Sequence, residues 1–302
     1  MSVLINVVLP VFVVAGLGAV ANHFLGLDKR TLSRVTFYLF APALIFDSLV
    51  TSDVGGAELG QIVAVVLLMT ALLWIAGVLA ARALRLEGPT QAAFLLAILL
   101  MNSGNYGLSV TLFAFDQAGL ARALLYFPVT ALLSASLGVY LSARGRAPAR
   151  LALRRMLGVP LLYATALGLI LNLLQVSPPE PVQKAIHLLG QASIPTMLVV
   201  LGGQLVTTVK DRQANLYLAP MATVVGMRLL LAPALAWAIG WLLGLQGLTL
   251  NVVVLESAMP TAVISTILAT EFDSDPPFAA LAVLLTTLVS IPTVTILLNW
   301  LI

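Results

Sequence analysis

Met101-Asn102-Ser103-Gly104-Asn105-Tyr106-Gly107 interrupts an apolar run, Gln91 to Phe115, that is otherwise long enough to cross a bilayer. Two amides, a hydroxyl and two glycines are a poor composition for a continuous membrane helix, because each glycine costs about 1 kcal/mol against alanine in a helix interior. A second apolar run, Leu248 to Glu271, carries Met259-Pro260-Thr261 at a comparable depth. Proline there removes a backbone donor and clashes with the preceding turn. Each half of the chain thus holds one interrupted hydrophobic segment, and the rest of the sequence is read outward from that pair.

The 302 residues are 61% hydrophobic and 9% charged, with a mean hydropathy of +1.08. No soluble globular class fits; the chain reads as an all-α polytopic membrane protein. The absence of cysteine excludes disulfides, thiolate metal sites and cysteine nucleophiles. With only His23 and His187, a metal site is not expected, and no cofactor is. The net charge of +3 is carried by short loops and forms no basic stripe with aromatics, so nucleic acid is not an expected partner. Met1 to Pro10 lacks a basic lead, so the first apolar run is expected to be a membrane span rather than a signal peptide.

Apolar runs of about 20 residues mark ten expected helical spans, at 3–25, 33–51, 60–82, 91–115, 119–142, 152–174, 184–207, 215–243, 249–271 and 277–301. The polar connection from Ser142 to Arg155 reads as a loop. Twelve basic residues fall on one side: Lys29, Arg30, Arg34, Arg82, Arg85, Arg144, Arg146, Arg150, Arg154, Arg155, Lys210 and Arg212. Only Arg122 and Lys184 fall on the other. The positive-inside rule then puts both termini outside, although the acidic loop Asp273-Ser274-Asp275 is placed inside.

The halves read as copies. Pro10, Gly18 and Asn22 recur as Pro160, Gly168 and Asn172 with the same spacing, and Pro42 has a partner in Pro195. Aligning Ser109 with Ser265 sets Gly104 opposite Pro260 and Asn105 opposite Thr261. Five spans per copy make the repeat inverted, with 1–142 as the first unit, 143–151 as a cytoplasmic connection and 152–302 as the second. Interrupted spans four and nine would then cross near the bilayer midplane, the usual place of a secondary transporter's site.

In the first interruption the helix is expected to unwind around Gly104, exposing backbone amides beside Asn102, Ser103 and Asn105. The positive end of the half-helix that follows suits a carboxylate. The alternative is that Gly104 and Gly107 are small residues for close helix packing, with the asparagines bonding across to a neighbour. Pro260 and Thr261 are either the matching half of the site or a plain proline kink. Glu256, one turn before Pro260, is a candidate protonatable or cation-binding group; otherwise it snorkels to the outer surface. Arg228 is too deep in span eight to reach water. It would pair with Glu256, hold an anionic substrate, or serve as a structural ion pair or helix-end anchor. Asp47 and Asp116 lie near span ends and read as interfacial, and His187 reads as a satisfied polar residue. No phosphate loop, GxSxG elbow or HExxH is present, so ATP-driven transport and enzymatic roles are not expected.

Asn102-Ser103-Gly104-Asn105-Tyr106-Gly107-Leu108, Ala258-Met259-Pro260-Thr261-Ala262-Val263 and Ser193-Ile194-Pro195-Thr196 running into Leu201-Gly202-Gly203-Gln204-Leu205 resemble the motifs of the auxin efflux carrier family, in its short bacterial form without a long central loop. The resemblance implies two inverted five-helix repeats with crossing helices four and nine. It further implies a scaffold of spans one, two, six and seven, often a dimer interface, and an elevator-like motion of the other spans. Substrates would be organic anions such as indole-3-acetate, malate or malonate, with Asn105 as carboxylate ligand and Pro260 opening the second half-helix. Ser109 stands where many relatives carry proline. The expected function is a secondary carrier of small organic anions in a bacterial cytoplasmic membrane, working as a homodimer in the lipid bilayer with proton or sodium coupling. Alternatives are a sodium-coupled symporter or cation/proton exchanger of the same architecture, and a non-transporting membrane sensor.

Overall fold

The computed structural model describes residues 3–54, 56–143, 149–208 and 218–302. Every named element among the described residues is helical, as lipid requires of a backbone that has no water to bond to. Among the described residues, seven helices are long and apolar enough to cross a membrane: α1 (Leu4–Leu25), α2 (Lys29–Val50), α3 (Ala57–Ala83), α5 (Ser103–Ser142), α8 (Glu180–Leu205), α9 (Leu218–Leu242) and α12 (Pro276–Leu301). Three more are apolar but shorter: α4 (Gly88–Leu99), α7 (Pro160–Leu173) and α10 (Gly247–Ser257). Two polar or brief helices complete the set, α6 (Ala149–Leu157) and α11 (Ile264–Glu271). Arg144, Arg146, Lys210 and Arg212, and residues 144–148 of the expected connection, lie outside the described residues.

At 40 residues α5 would be a rod about 60 Å long, twice the hydrocarbon thickness. It is not straight. Phe115 (φ −134°, ψ 16°) and Asp116 (φ 52°, ψ −157°) leave helical geometry. Ser103 Oγ consequently lies 2.7 Å from Thr130 Oγ1, 27 positions along the chain. The two arms of α5 therefore run antiparallel, which agrees with the expected division into spans at 115–119.

Local chemistry sets the ends. The Asp28 carboxylate caps α2, accepting from the Arg30 and Thr31 amides and, at 2.6 Å, from the Thr31 hydroxyl. That hydroxyl bond holds the Asp28 carboxyl below the usual range. The turns α3–α4 and α9–α10 are built alike. Leu86 N–H donates to Ala81 O and Leu245 N–H to Gly240 O, both at 2.9 Å. Each then closes on a left-handed residue that opens its helix, Gly88 (φ 55°) and Gly247 (φ 54°), a conformation for which only glycine lacks a steric penalty.

The helices pack in two groups. In one, α1 lies along α8 and α2 along α7 and α8; in the other, α3, α4, α5, α9, α10, α11 and α12 pack among themselves. In the first group backbones touch. Gly18 rests on the Val199 backbone with no room for a Cβ, and Gly168 rests against Leu49 Cβ and the Phe46 backbone. Asn172 Nδ2 closes the α7–α2 contact, donating to Val50 O at 3.1 Å and Ser52 O at 2.9 Å. At one end of the molecule Thr90 bonds Asp275 at 2.6 Å, and Ser274 Oγ donates to Ser142 O at 2.6 Å. At the other, Arg122 Nε donates to Glu58 Oε1 and Thr249 Oγ1, each at 2.9 Å.

The segment read as a loop up to Arg155 contains a helix. α6 winds from Ala149 to Leu157, and the apolar helix starts only at Pro160, not at 152. Arginines dilute its hydropathy, so an apolar-run criterion passes over it, yet Leu153 and Leu157 stand four residues apart, on one helical face.

Candidate functional site at the paired helix breaks

α4 stops at Leu99, and Leu100 is already extended (φ −96°, ψ 106°). α10 stops at Ser257, and the chain stays non-helical through the Pro260 region. Unwound backbone at this depth would leave N–H and C=O groups unbonded, at several kcal/mol each. The two breaks satisfy one another. Met101 and Thr261 face each other in an antiparallel bridge, with Asn102 N–H donating to Pro260 O and Ala262 N–H to Leu100 O, both at 2.8 Å. Pro260 lacks an N–H, so in this pairing it has only to accept.

The unwinding lies at Leu100–Asn102, upstream of the expected position at Gly104. Gly104 and Gly107 instead belong to the wide helical turn that opens α5. Both are sites of close approach. A Cβ on Gly104 would strike the Phe127 ring, and one on Gly107 would strike the Glu256 carboxyl. The packing alternative therefore describes the glycines, while the break itself is carried by the residues before them.

Arg228 is fully buried. It does not pair with Glu256, and among the described residues no ion pair joins it to an acid. Its guanidinium donates to Ile98 O at 2.7 Å, in the last turn of α4, and through Nη2 to Ser257 O, the last residue of α10. A helix C-terminus carries roughly half a negative charge. Two such ends offset one guanidinium, so a cation is held in the interior by backbone dipoles and fixes both breaks in one place.

Glu256 is likewise fully buried, so it does not snorkel. Its Oε1 accepts from Thr111 Oγ1 at 2.8 Å, while Oε2 has no hydrogen-bond partner among the described residues and lies against Gly107. A buried carboxyl with no ion-pair partner among the described residues is the kind of group that takes a proton or a small cation.

The remaining residues divide by whether their polar atoms are already committed. Ser103 Oγ bonds Thr130. Thr261 Oγ1 donates to Ala97 O at 2.8 Å, and its N–H meets Thr286 Oγ1 at 3.0 Å. Both therefore hold the break together. Asn102 Nδ2 is buried without a partner, and the half-buried Asn105 side chain makes no hydrogen bond among the described residues. All eight residues singled out in the sequence meet here; the two asparagines, Glu256 and the Arg228 Nε keep unspent capacity.

Three neighbours had no assigned role. Thr111, four residues after Gly107 and so on the same helix face, was legible by spacing alone. Tyr126, 25 positions along the chain from Met101, donates to Met101 Sδ at 3.0 Å. Tyr106 lies edge-on to Phe12, with ring centroids 5.7 Å apart, and receives Ser290 Oγ at 3.4 Å. Away from the breaks, Asp47 and His187 form a pair at 2.7 Å.

The family described as membrane transport protein matches residues 3–148 and 144–298. An uncharacterized transporter of Methanothermobacter thermautotrophicus is 32% identical over 294 residues, covering 96% of this chain and 93% of that protein. An uncharacterized transporter of Methanocaldococcus jannaschii is 25% identical, covering 95% of each chain. Auxin efflux carrier component 3a of rice is 28% identical over 145 residues, 46% of this chain and 23% of its own length. The chain belongs to the membrane transport protein family, that of the auxin efflux carriers.

Proposed function

We propose that this membrane transporter is a secondary carrier of small organic anions that works by elevator-type alternating access, with its substrate held at the paired breaks. One observation carries the reading: two interrupted helices bonded through Met101 and Thr261, beside two asparagine amides with donors to spare. Asn102 and Asn105 would take the carboxylate, backed by the positive end of the α5 half-helix. Ser103, Gly104, Pro260 and Thr261 would shape the pocket.

In this reading α4 with the first arm of α5 is span four, and α10 with α11 is span nine, which makes ten spans in two inverted repeats. Gly88 and Gly247, at the heads of matching turns, are 159 positions apart. Gly18 on Val199 and Gly168 on Leu49 are reciprocal contacts 150 apart. Both support the repeat. The bridge supports an offset of 160 at the breaks, not 156, because Gly104 lies after its break and Pro260 lies inside its own. The two packing groups support the elevator: glycine contacts make α1, α2, α7 and α8 a stiff frame, against which the others would slide as a unit.

A second observation favours ion coupling. Glu256 Oε2, unpartnered against Gly107, would carry the proton or sodium ion whose movement drives transport.

The test is uptake of labelled malate, malonate and indole-3-acetate into proteoliposomes, with proton or sodium gradients, by the native protein and Asn105→Ala. Uptake that is lost in a folded variant supports an anion site at the break. Binding without flux would favour a sensor, and normal uptake by the variant would refute the site.

A further inference from the structure

We propose that the outward face of α6 is a binding site for the headgroup of an anionic membrane lipid. The helix uses one side for the protein: Arg155 pairs with Glu271 at 2.5 Å and lies 5.8 Å from the Phe272 ring centroid. The opposite side has no side-chain partner among the described residues. Arg150 and Arg154 are exposed, and their side chains make no hydrogen bond or ion pair among the described residues. Leu153 and Leu157, each 56% exposed, share that side. At 100° per residue these four fall within an arc of about 100°, leucines along one edge and arginines along the other.

A face split in this way is poorly placed in water, which would wet two large leucines, and poorly placed in hydrocarbon, which would strand two arginines. It fits the boundary, with leucines toward acyl chains and guanidiniums toward phosphates. The depth of α6 agrees. Its last residue, Leu157, accepts a 2.8 Å hydrogen bond from the hydroxyl of Tyr163, an exposed tyrosine one turn into α7, the kind of residue that marks a membrane–water interface. Through Arg155 and Glu271 the lipid-bound helix is tied to the end of α11, so lipid on one face bears on the helix that leads from the second break.

Purified full-length protein in neutral detergent would be titrated with fluorescently labelled phosphatidylglycerol, with unlabelled phosphatidylglycerol, phosphatidylcholine and inorganic phosphate as competitors. A basic side chain near an anionic surface strengthens association roughly fivefold. The pair Arg150→Gln and Arg154→Gln is therefore expected to weaken binding about thirtyfold, and the corresponding lysine pair to restore most of it. Both positions are exposed, so the variants are expected to elute and fold as the native protein does. Competition by phosphatidylglycerol alone supports the site. Equal competition by phosphatidylcholine, equal competition by phosphate at matched concentration, or native binding by the glutamine pair would each overturn it.

Discussion

Replacing Gly107 by alanine tests the close approach of the two breaks through a change of sign. Gly107 has ordinary helical angles, φ −60° and ψ −52°, so the backbone alone favours alanine by about 1 kcal/mol. The methyl group would occupy space held by the Glu256 carboxyl, which is walled in and cannot swing into solvent. Overpacking of this kind costs about 2–3 kcal/mol. The single variant should therefore lose about 1–2 kcal/mol. In a Glu256→Ala background the space is vacant and Thr111 can turn its hydroxyl to its own helix. There the same substitution should gain about 1 kcal/mol. The coupling between the two sites is then about 2–3 kcal/mol. Reversible denaturant unfolding in mixed micelles, run on the native protein, both single variants and the double variant, measures every leg of the cycle. A Gly107→Ala effect of the same sign and size in both backgrounds would show that the carboxyl is not what excludes a side chain.

Arg228→Met removes two charge-assisted bonds but also a buried charge, so the net loss in the same unfolding assay should be about 2 kcal/mol. Arg228→Lys keeps the charge without the fork that spans both carbonyls and should fall between native and methionine. In flux measurements Glu256→Gln should retain substrate binding and lose the dependence on pH or sodium. Unchanged ion dependence would make Glu256 structural.

What was legible in the sequence was the existence of the breaks, because glycine, asparagine and proline in an apolar run violate a local rule that needs no knowledge of the partner. Which atoms would satisfy the breaks was not legible. Asn102 bonds Pro260 and Arg228 bonds Ile98 across 158 and 130 positions respectively, and such pairings come from the packing of whole helices. The same ignorance produced the choice between ion pair and substrate ligand for Arg228. Backbone carbonyls, its observed partners, leave no mark in a sequence. The position of the first break slipped for a related reason. Gly104 attracts attention as a helix breaker, yet it is there for the Phe127 ring, and the residues that unwind, Leu100 and Met101, are ordinary apolar ones.

The location of Arg228 bears on why the proposed site would select anions. An interrupted helix pair presents two negative C-termini and two positive N-terminal ends to one small region, and by themselves these offset each other. Arg228 is bonded at the C-termini of α4 and α10 and neutralises them. What remains unbalanced is the positive end of the half-helix opening at Ser103 and that of α11, next to amide donors on Asn102 and Asn105. If Glu256 carries its proton or a cation, nothing nearby opposes that balance. If it releases the ion, a full negative charge stands against Gly107, one helical turn from the asparagines, and repels a carboxylate. Ion binding at Glu256 and anion binding at the asparagines would then favour each other through electrostatics over a few ångströms, with no change of fold required for the coupling.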